Sequence, residues 1–295
     1  MRVTDRIIFE RGTTDIAASR ERAESAQRVA STGLRVEAPG DDPAAAGTLA
    51  AAPVAEARFR AIGAAASAAS DELQAADGAL SQIGSSLARA RELATQFSSS
   101  TYDATGRAGA AAEVDSLLRD VVGQLNTRVG GRYLFSGTAD AQKPFDPNTL
   151  AFSGSTQQRT VEVAPGVFQP ASVAADVAIK GTAGGVDVLA TLSQLRDALA
   201  TGTAATVQST IGALATSVEQ VTAARVQAGV SMNALGAAVT ASSTAADSVK
   251  SRASHLSDAD IVSAATELAF SQTALQASMA ATAQGFKLSL VDYLR

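Results

Sequence analysis

The sequence predicts a mainly α protein: a long antiparallel coiled-coil or helical-bundle rod that carries a small β-containing inserted domain. Three observations carry this. Steps of four and three from Val207 to Leu256 meet Val207, Ile211, Leu214, Val218, Val221, Arg225, Ala228, Met232, Leu235, Val239, Ser242, Ala246, Val249, Ala253 and Leu256, nearly all apolar and with no proline between them. A seam that keeps phase over about seven heptads is the signature of one long supercoiled helix, reaching about 75 Å at 1.5 Å per residue. A second seam of the same period runs through Phe59, Ile62, Ala66, Ala69, Leu73, Ala76, Leu80, Ile83, Leu87, Ala90, Ala94 and Phe97, and is the natural partner of the first. Between the two, residues 132 to 185 change texture to short β-type runs punctuated by Gly and Pro.

Composition agrees with helix on helix. The 295 residues are 46% hydrophobic but only 4% aromatic, without tryptophan, so the core is built from closely approaching backbones with small side chains. A net charge of -5, with basic residues scattered among acidic ones, offers no basic face to a phosphate backbone, which excludes nucleic acid as the expected partner. There is no run of eighteen apolar residues, so no membrane insertion is expected, and Met1 to Asp5 opens nothing like the apolar core of a cleaved signal peptide. Zero cysteines excludes disulfides and thiolate chemistry and is compatible with a reducing or an oxidising compartment.

Taken in order, residues 5 to 32 read as a helix with a thin stripe, Ile8, Ile16, Ala23 and Ala30, too sparse to specify a core within one chain. Gly33 stops it, Pro39 and Gly40 demand a turn, and Asp42 before Pro43 is an N-cap followed by proline at the first helical position. Arg35 and Asp41 lie in the same reversal. The Phe59 seam follows, with Gly63, Gly78 and Gly84 off its stripe, each costing about 1 kcal/mol that packing must offset. Ser98 to Gly106 is a turn; Ala111, Val114, Leu118, Val121 and Leu125 form a shorter helix ending near Gly130 and Gly131. In the insertion, Arg132 to Phe135, Thr160 to Val163 and Val177 to Ile179 read as strands, and residues 165 to 170 as a turn. Val188, Leu192, Leu195 and Leu199 return the chain to helix before the long seam. After Leu256 the phase breaks, Ser257 with Asp260 resembles a capping box, and a last seam runs Ile261, Ala265, Leu268, Gln272, Leu275, Met279, Thr282, Phe286. The plan is symmetric: terminal helices, long core helices, then a β insertion, with both ends of the chain together.

Catalytic machinery is not visible. His255 is the only histidine, so no histidine pair or relay can form within one chain. Asp41 with Asp42, and Asp258 with Asp260, are paired carboxylates that could bind a hard cation, but each pair sits at a predicted helix start, where carboxylates complement the dipole. Gly181 to Gly185 lacks the Lys-Ser or Lys-Thr of a phosphate loop and reads as a hinge. Ser136 has neither a Gly-x-Ser-x-Gly frame nor a histidine to activate it. No cofactor, no metal site and no enzyme are expected. The central seams also admit a bland intramolecular bundle, whereas the sparse terminal stripes point to packing between chains.

Several segments resemble the bacterial flagellin family: Met1-Arg2-Val3-Thr4, Ser31-Thr32-Gly33-Leu34-Arg35-Val36 with Pro39 and Asp41-Asp42-Pro43, Leu275-Gln276-Ala277, and Leu288-Ser289-Leu290-Val291-Asp292-Tyr293-Leu294. Gly131-Arg132-Tyr133-Leu134-Phe135-Ser136-Gly137 is similar to the members at the hook-filament junction and less like filament flagellins. Glu37 and Gly40 depart from the asparagine and serine common there. The resemblance implies a flagellar structural protein, exported through the flagellar apparatus without a cleaved signal, with an export chaperone, self-associating in a ring between a neighbouring hook-associated protein and filament or hook subunits. It implies three regions: residues 1–40 with 258–295 as terminal helices forming the inner assembly coiled coil, 41–131 with 186–257 as the long-helix rod, and 132–185 as the outer domain. The expected assembly interface is Ile8, Ile16, Ala23, Ala30, Ile261, Leu268, Leu275, Met279, Phe286, Leu290 and Leu294. The expected turn and cap motif is Gly33, Arg35, Pro39, Asp41, Asp42 and Pro43. A filament flagellin, and from another class a cytoplasmic signalling coiled coil, are the alternatives.

Overall fold

The computed structural model describes residues 3–99 and 102–293. The order is α1 (Val3–Thr32), α2 (Pro43–Gln96), α3 (Ala104–Leu125), β1 (Arg128–Val129), β2 (Arg132–Tyr133), β3 (Thr160–Ala164), β4 (Val167–Pro170), α4 (Ala175–Ala178), α5 (Val188–Thr201), α6 (Ala204–Ser257) and α7 (Ile261–Tyr293). The protein is mainly α. It divides into two compact units, residues 1–57 with 246–295 and residues 58–245.

In the second unit both predicted seams are buried stripes. On α2, Leu80, Ile83, Leu87 and Ala90 are fully buried, and on α6 Val207, Leu214 and Leu235 are too, each leucine or valine worth about 1.5–3 kcal/mol of transfer free energy. The pair is antiparallel: Asp77 accepts from Nε of Arg225 at 2.8 Å, while fourteen residues earlier on α2 Gly63 lies against Ser242, further along α6. Arg225, the one charged residue on the α6 seam, pairs with Asp77 while its side chain stays 41% exposed. α3 and α5 pack on each other and complete the core with Val114, Val121, Leu125, Leu192, Leu195 and Leu199. Asp103 and Asp187 cap these two helices, accepting from Gly106 N and from Leu189 N and Ala190 N.

The insertion contributes to the same core through Leu134, Phe135, Phe145, Val173 and Ile179. Glu72 on α2 pairs with both Arg159 and Arg132, and so fastens both two-stranded sheets to that helix. Several local expectations need correction. The third helix ends at Leu125, and Gly130 and Gly131, both at positive φ, turn β1 back onto β2. Residues 165 to 170 hold a strand, because the turn is confined to Pro165 and Gly166 (φ +78°) and β4 pairs antiparallel with β3. Val177 to Ile179 is not a strand: Ala178 N and Ile179 N bond back to Ala174 and Ala175, closing the helical turn α4. Gly181 to Gly185 is an exposed turn closed by Gly184 N and Gly185 N donating to Gly181 O. Its base is fixed where the Gln220 carboxamide accepts from Val186 N and donates to the Ala178 and Val186 carbonyls, an arrangement more ordered than the expected hinge. A Cβ on Gly185 would collide with that carboxamide.

Candidate assembly surface

α1 and α7 pack antiparallel in the first unit. The contacting stripe of α1 is Gly12, Ile16, Ser19, Ala23, Ala26 and Ala30, and that of α7 is Ala264, Leu268, Ser271, Leu275, Ser278 and Thr282. Nine of these twelve are small, so the helices approach closely. A Cβ on Gly12 would lie 2.9 Å from Thr282 Cγ2, and the Ser19 and Ser278 hydroxyls are 3.1 Å apart. Ser271, Ser278 and Thr282 donate to carbonyls of their own helix, which satisfies hydroxyls that the seam buries. The fit is incomplete: a cleft of about 240 Å³ remains between Arg22, Ser25, Ala26 and Val29 on one side and Ala264 and Glu267 on the other.

The α7 stripe differs from the one read off the sequence. Leu268, Leu275 and Thr282 belong to both, but Ala264, Ser271 and Ser278 replace Ile261, Ala265, Gln272 and Met279, because contact with α1 selects the face with the smallest side chains. The bulky residues are left outside. Val262 is 75% exposed and Phe270 68%, and Ile7, Phe9, Ile261 and Met279 are exposed with them. Of the expected interface residues, Ala23 is buried, Ile16, Ala30, Leu268 and Leu275 are half-buried in the α1–α7 contact, and Ile261 and Met279 face outward. The side chains of Ile8, Phe286 and Leu290, and the whole of Leu294, lie outside the described residues. Ile7, Phe9, Val262 and Phe270 escaped the sequence reading because a search for one apolar stripe discards what falls off it.

The reversal joins the ends of four helices. Gly33 (φ +70°) closes α1 with its N–H donating to Val29 O at 2.9 Å. Leu34 and Asp258 form an isolated antiparallel bridge, in which Arg35 N donates to Ser257 O and Ala259 N donates to Gly33 O. The Arg35 guanidinium donates to Leu256 O at 2.8 Å, a cation on the carbonyl end of α6, and reaches Asp42 at 3.4 Å. Asp41 accepts from Ala38 N and Glu37 N, shaping the turn at Pro39, and Asp42 accepts from Ala44 N and Ala45 N, capping α2 at Pro43. Ser257 is the last residue of α6 and does not cap α7. Asp260 does, accepting from Val262 N at 2.9 Å, since Ser257 spends its hydroxyl on Asp258. These hydrogen bonds hold four carboxyls below the ordinary range: Asp41 chiefly through Ala38 N–H, Asp42 through Ala45 N–H, Asp258 through the Ser254 hydroxyl and Asp260 through Val262 N–H. All four carboxylates are therefore occupied as acceptors. Among the described residues no group of three His, Cys, Asp or Glu is placed to hold a metal ion, and no helix is long and apolar enough to cross a membrane.

Long paired helices, a β insertion between them and a terminal helix pair with bulky apolar residues outside define the class. Residues 11–140 match the bacterial flagellin N-terminal helical region and residues 211–294 the bacterial flagellin C-terminal helical region, so the chain belongs to the flagellin family and is a flagellar component. Within it, flagellar hook-associated protein 3 of Salmonella typhimurium is 26% identical over 164 residues, covering 55% of this chain and 52% of that protein. The match thus spans about half the length of that curated relative. Solved structures share the fold. A Vibrio parahaemolyticus chain described as a flagellar hook-associated protein superposes with a TM-score of 0.67 at 20% identity, covering 74% of this chain and 100% of its own. FlgL of Bacillus cereus gives 0.58 at 19%, covering 69% and 99%. Flagellar hook-associated protein 3 of Legionella pneumophila gives 0.60 at 14%, covering 68% and 96%.

Proposed function

We propose that the chain joins hook to filament in the bacterial flagellum, as a structural and non-catalytic subunit that assembles in a ring through its terminal helices. Residues 1–40 with 258–295 form the assembly coiled coil, 41–131 with 186–257 the rod, and 132–185 the outer domain. Its neighbours are a hook-associated protein and hook or filament subunits; it leaves the cell through the flagellar export apparatus, without a cleaved signal and with an export chaperone.

The observation that carries this reading is the exposed apolar set on α1 and α7. Pairing of those two helices consumes mostly their small side chains and leaves Ile7, Ile261, Val262, Phe270 and Met279 exposed. Large apolar side chains left exposed along both terminal helices are candidates for burial against a partner. The similarity to flagellar hook-associated proteins indicates which assembly to test. Immunogold labelling of intact flagella is the decisive experiment: label confined to the hook-filament boundary is expected, and label along the whole filament would replace this reading with that of a filament flagellin.

A further inference from the structure

A semi-open apolar socket of about 220 Å³ lies in the second unit, under the base of the β3–β4 hairpin. Leu73 of α2, Val173 and Val177, and Ala223, Ala224 and Ala228 of α6 line it. Val177 is exposed at its edge. The socket is below the roughly 300–1,000 Å³ of a small-molecule pocket. It is well matched to one aromatic ring, since an apolar cavity of about 150 Å³ already takes up benzene.

The same unit carries a largely exposed ring. Phe168 on β4 is 61% exposed beside the exposed Val167, at the far end of the hairpin. At about 3.3 Å per residue, Phe168 stands roughly 13 Å along the strand from Ser172, which borders the socket, so it cannot fold back into its own chain's socket. We propose that Phe168 of one copy fills the socket of a second copy, a knob-and-hole contact between the 58–245 units that adds to the contacts of the terminal helices. This rests on the self-association proposed above.

The size of the contact identifies the occupant. An aromatic side chain buries about 150–250 Å², far below the 1,200–2,000 Å² of a stable free complex, so a ring in this socket does not recruit a soluble partner unaided. Copies held side by side by other contacts present the ring at high effective concentration, and there a small anchor suffices. A knob and a hole at different places on one chain are also what a repeating contact between identical subunits requires.

The absence of cysteine makes the test clean. Full-length Phe168→Cys protein is mixed with full-length Ala223→Cys protein under assembly conditions and oxidised with copper-phenanthroline. Covalent dimer between the two variants is expected to form at least ten times faster than from Phe168→Cys mixed with Thr216→Cys, an exposed α6 position away from the socket. Assembly without that preference would overturn the inference and leave the self-association intact. Preferential coupling of Ala223→Cys to Phe270→Cys would also overturn it, by giving the socket another occupant. Absence of any assembly would overturn both. Phe168→Ser, whose ring touches little in its own chain, is expected to keep the melting temperature of the monomer and to weaken assembly.

Discussion

Single residues at the reversal make its stability depend on acid. The carboxyls of Asp41, Asp42, Asp258 and Asp260 titrate below the ordinary aspartate value of 3.8 because backbone N–H groups or serine hydroxyls bond their charged form. A depressed folded value means that the unfolded chain takes up protons first as pH falls. The contribution is therefore complete above the unfolded value and lost as pH drops through the folded ones. Thermal melts followed by circular dichroism are expected to be flat in this respect from pH 5 to 8 and to decline below about pH 4. Asp42→Asn keeps a side-chain oxygen for Ala44 N and Ala45 N, since asparagine caps as well as aspartate, but cannot titrate. Its melting temperature at pH 7 should stay near the parent's while the acid decline becomes shallower; an unchanged decline would show that Asp42 does not contribute. Gly137 is a second such point. It sits at φ +60°, and a Cβ there would lie 2.5 Å from the Ser155 and Gln157 carbonyl oxygens. Gly137→Ala is expected to cost about 1–3 kcal/mol in urea unfolding, as strain that the turn cannot relax.

At the scale of elements, the long helices and the terminal pair are held by opposite means. α2 and α6 bury bulky aliphatic residues in the core, so Leu80→Ala is expected to destabilise the protein by about 2–5 kcal/mol, measured by denaturant unfolding. α1 and α7 meet chiefly through alanine, glycine and serine, with Ile16, Leu268 and Leu275 half-buried among them. There, enlarging a side chain is the damaging change: Ala26→Leu should loosen the pair at a cost of about 1–3 kcal/mol, seen as faster amide exchange confined to α1 and α7. The contrast explains what was legible. Period and apolarity coincide on α2 and α6, so their stripes could be read residue by residue. On α7 they separate: the stripe that meets α1 is largely small and partly polar, while Ile261, Val262, Phe270 and Met279 lie outside it, so a count of apolar residues coincides only in part with the α1 contact. The three residues from Val177 to Ile179 look like a strand by side-chain type, yet three residues fix no period, and burial of Ala178 and Ile179 in the core decided for a helical turn. The reversal was legible because Gly33, Pro39, Asp42 and Pro43 each restrict the backbone locally, independent of distant contacts. The sequence alone does not separate Ser257 from Asp260 as the cap, because serine and aspartate both cap well and only the bridge between Leu34 and Asp258 fixes where α6 ends.

For the whole molecule, the outward residues of α1 and α7 are the place where fold and proposed assembly can be separated. Val262 and Phe270 touch little within their own chain, being 75% and 68% exposed, so replacing them leaves the α1–α7 contact and the buried core of the second unit in place. A surface substitution of this kind ordinarily moves stability by no more than about 0.5 kcal/mol. In an assembly the same positions are desolvated, and a carboxylate forced into an apolar contact without a cation is strongly disfavoured. The double variant Val262→Asp with Phe270→Asp should therefore melt like the parent as a monomer, fail to form higher assemblies by sedimentation and electron microscopy, and fail to restore motility in cells that lack the parent protein. Conservative Phe270→Leu, which keeps the surface apolar, should retain assembly. If the aspartate variant assembled as readily as the parent, the exposed face of α7 would not be an assembly surface. If it unfolded instead, its residues would be serving the monomer in a way that their exposure contradicts.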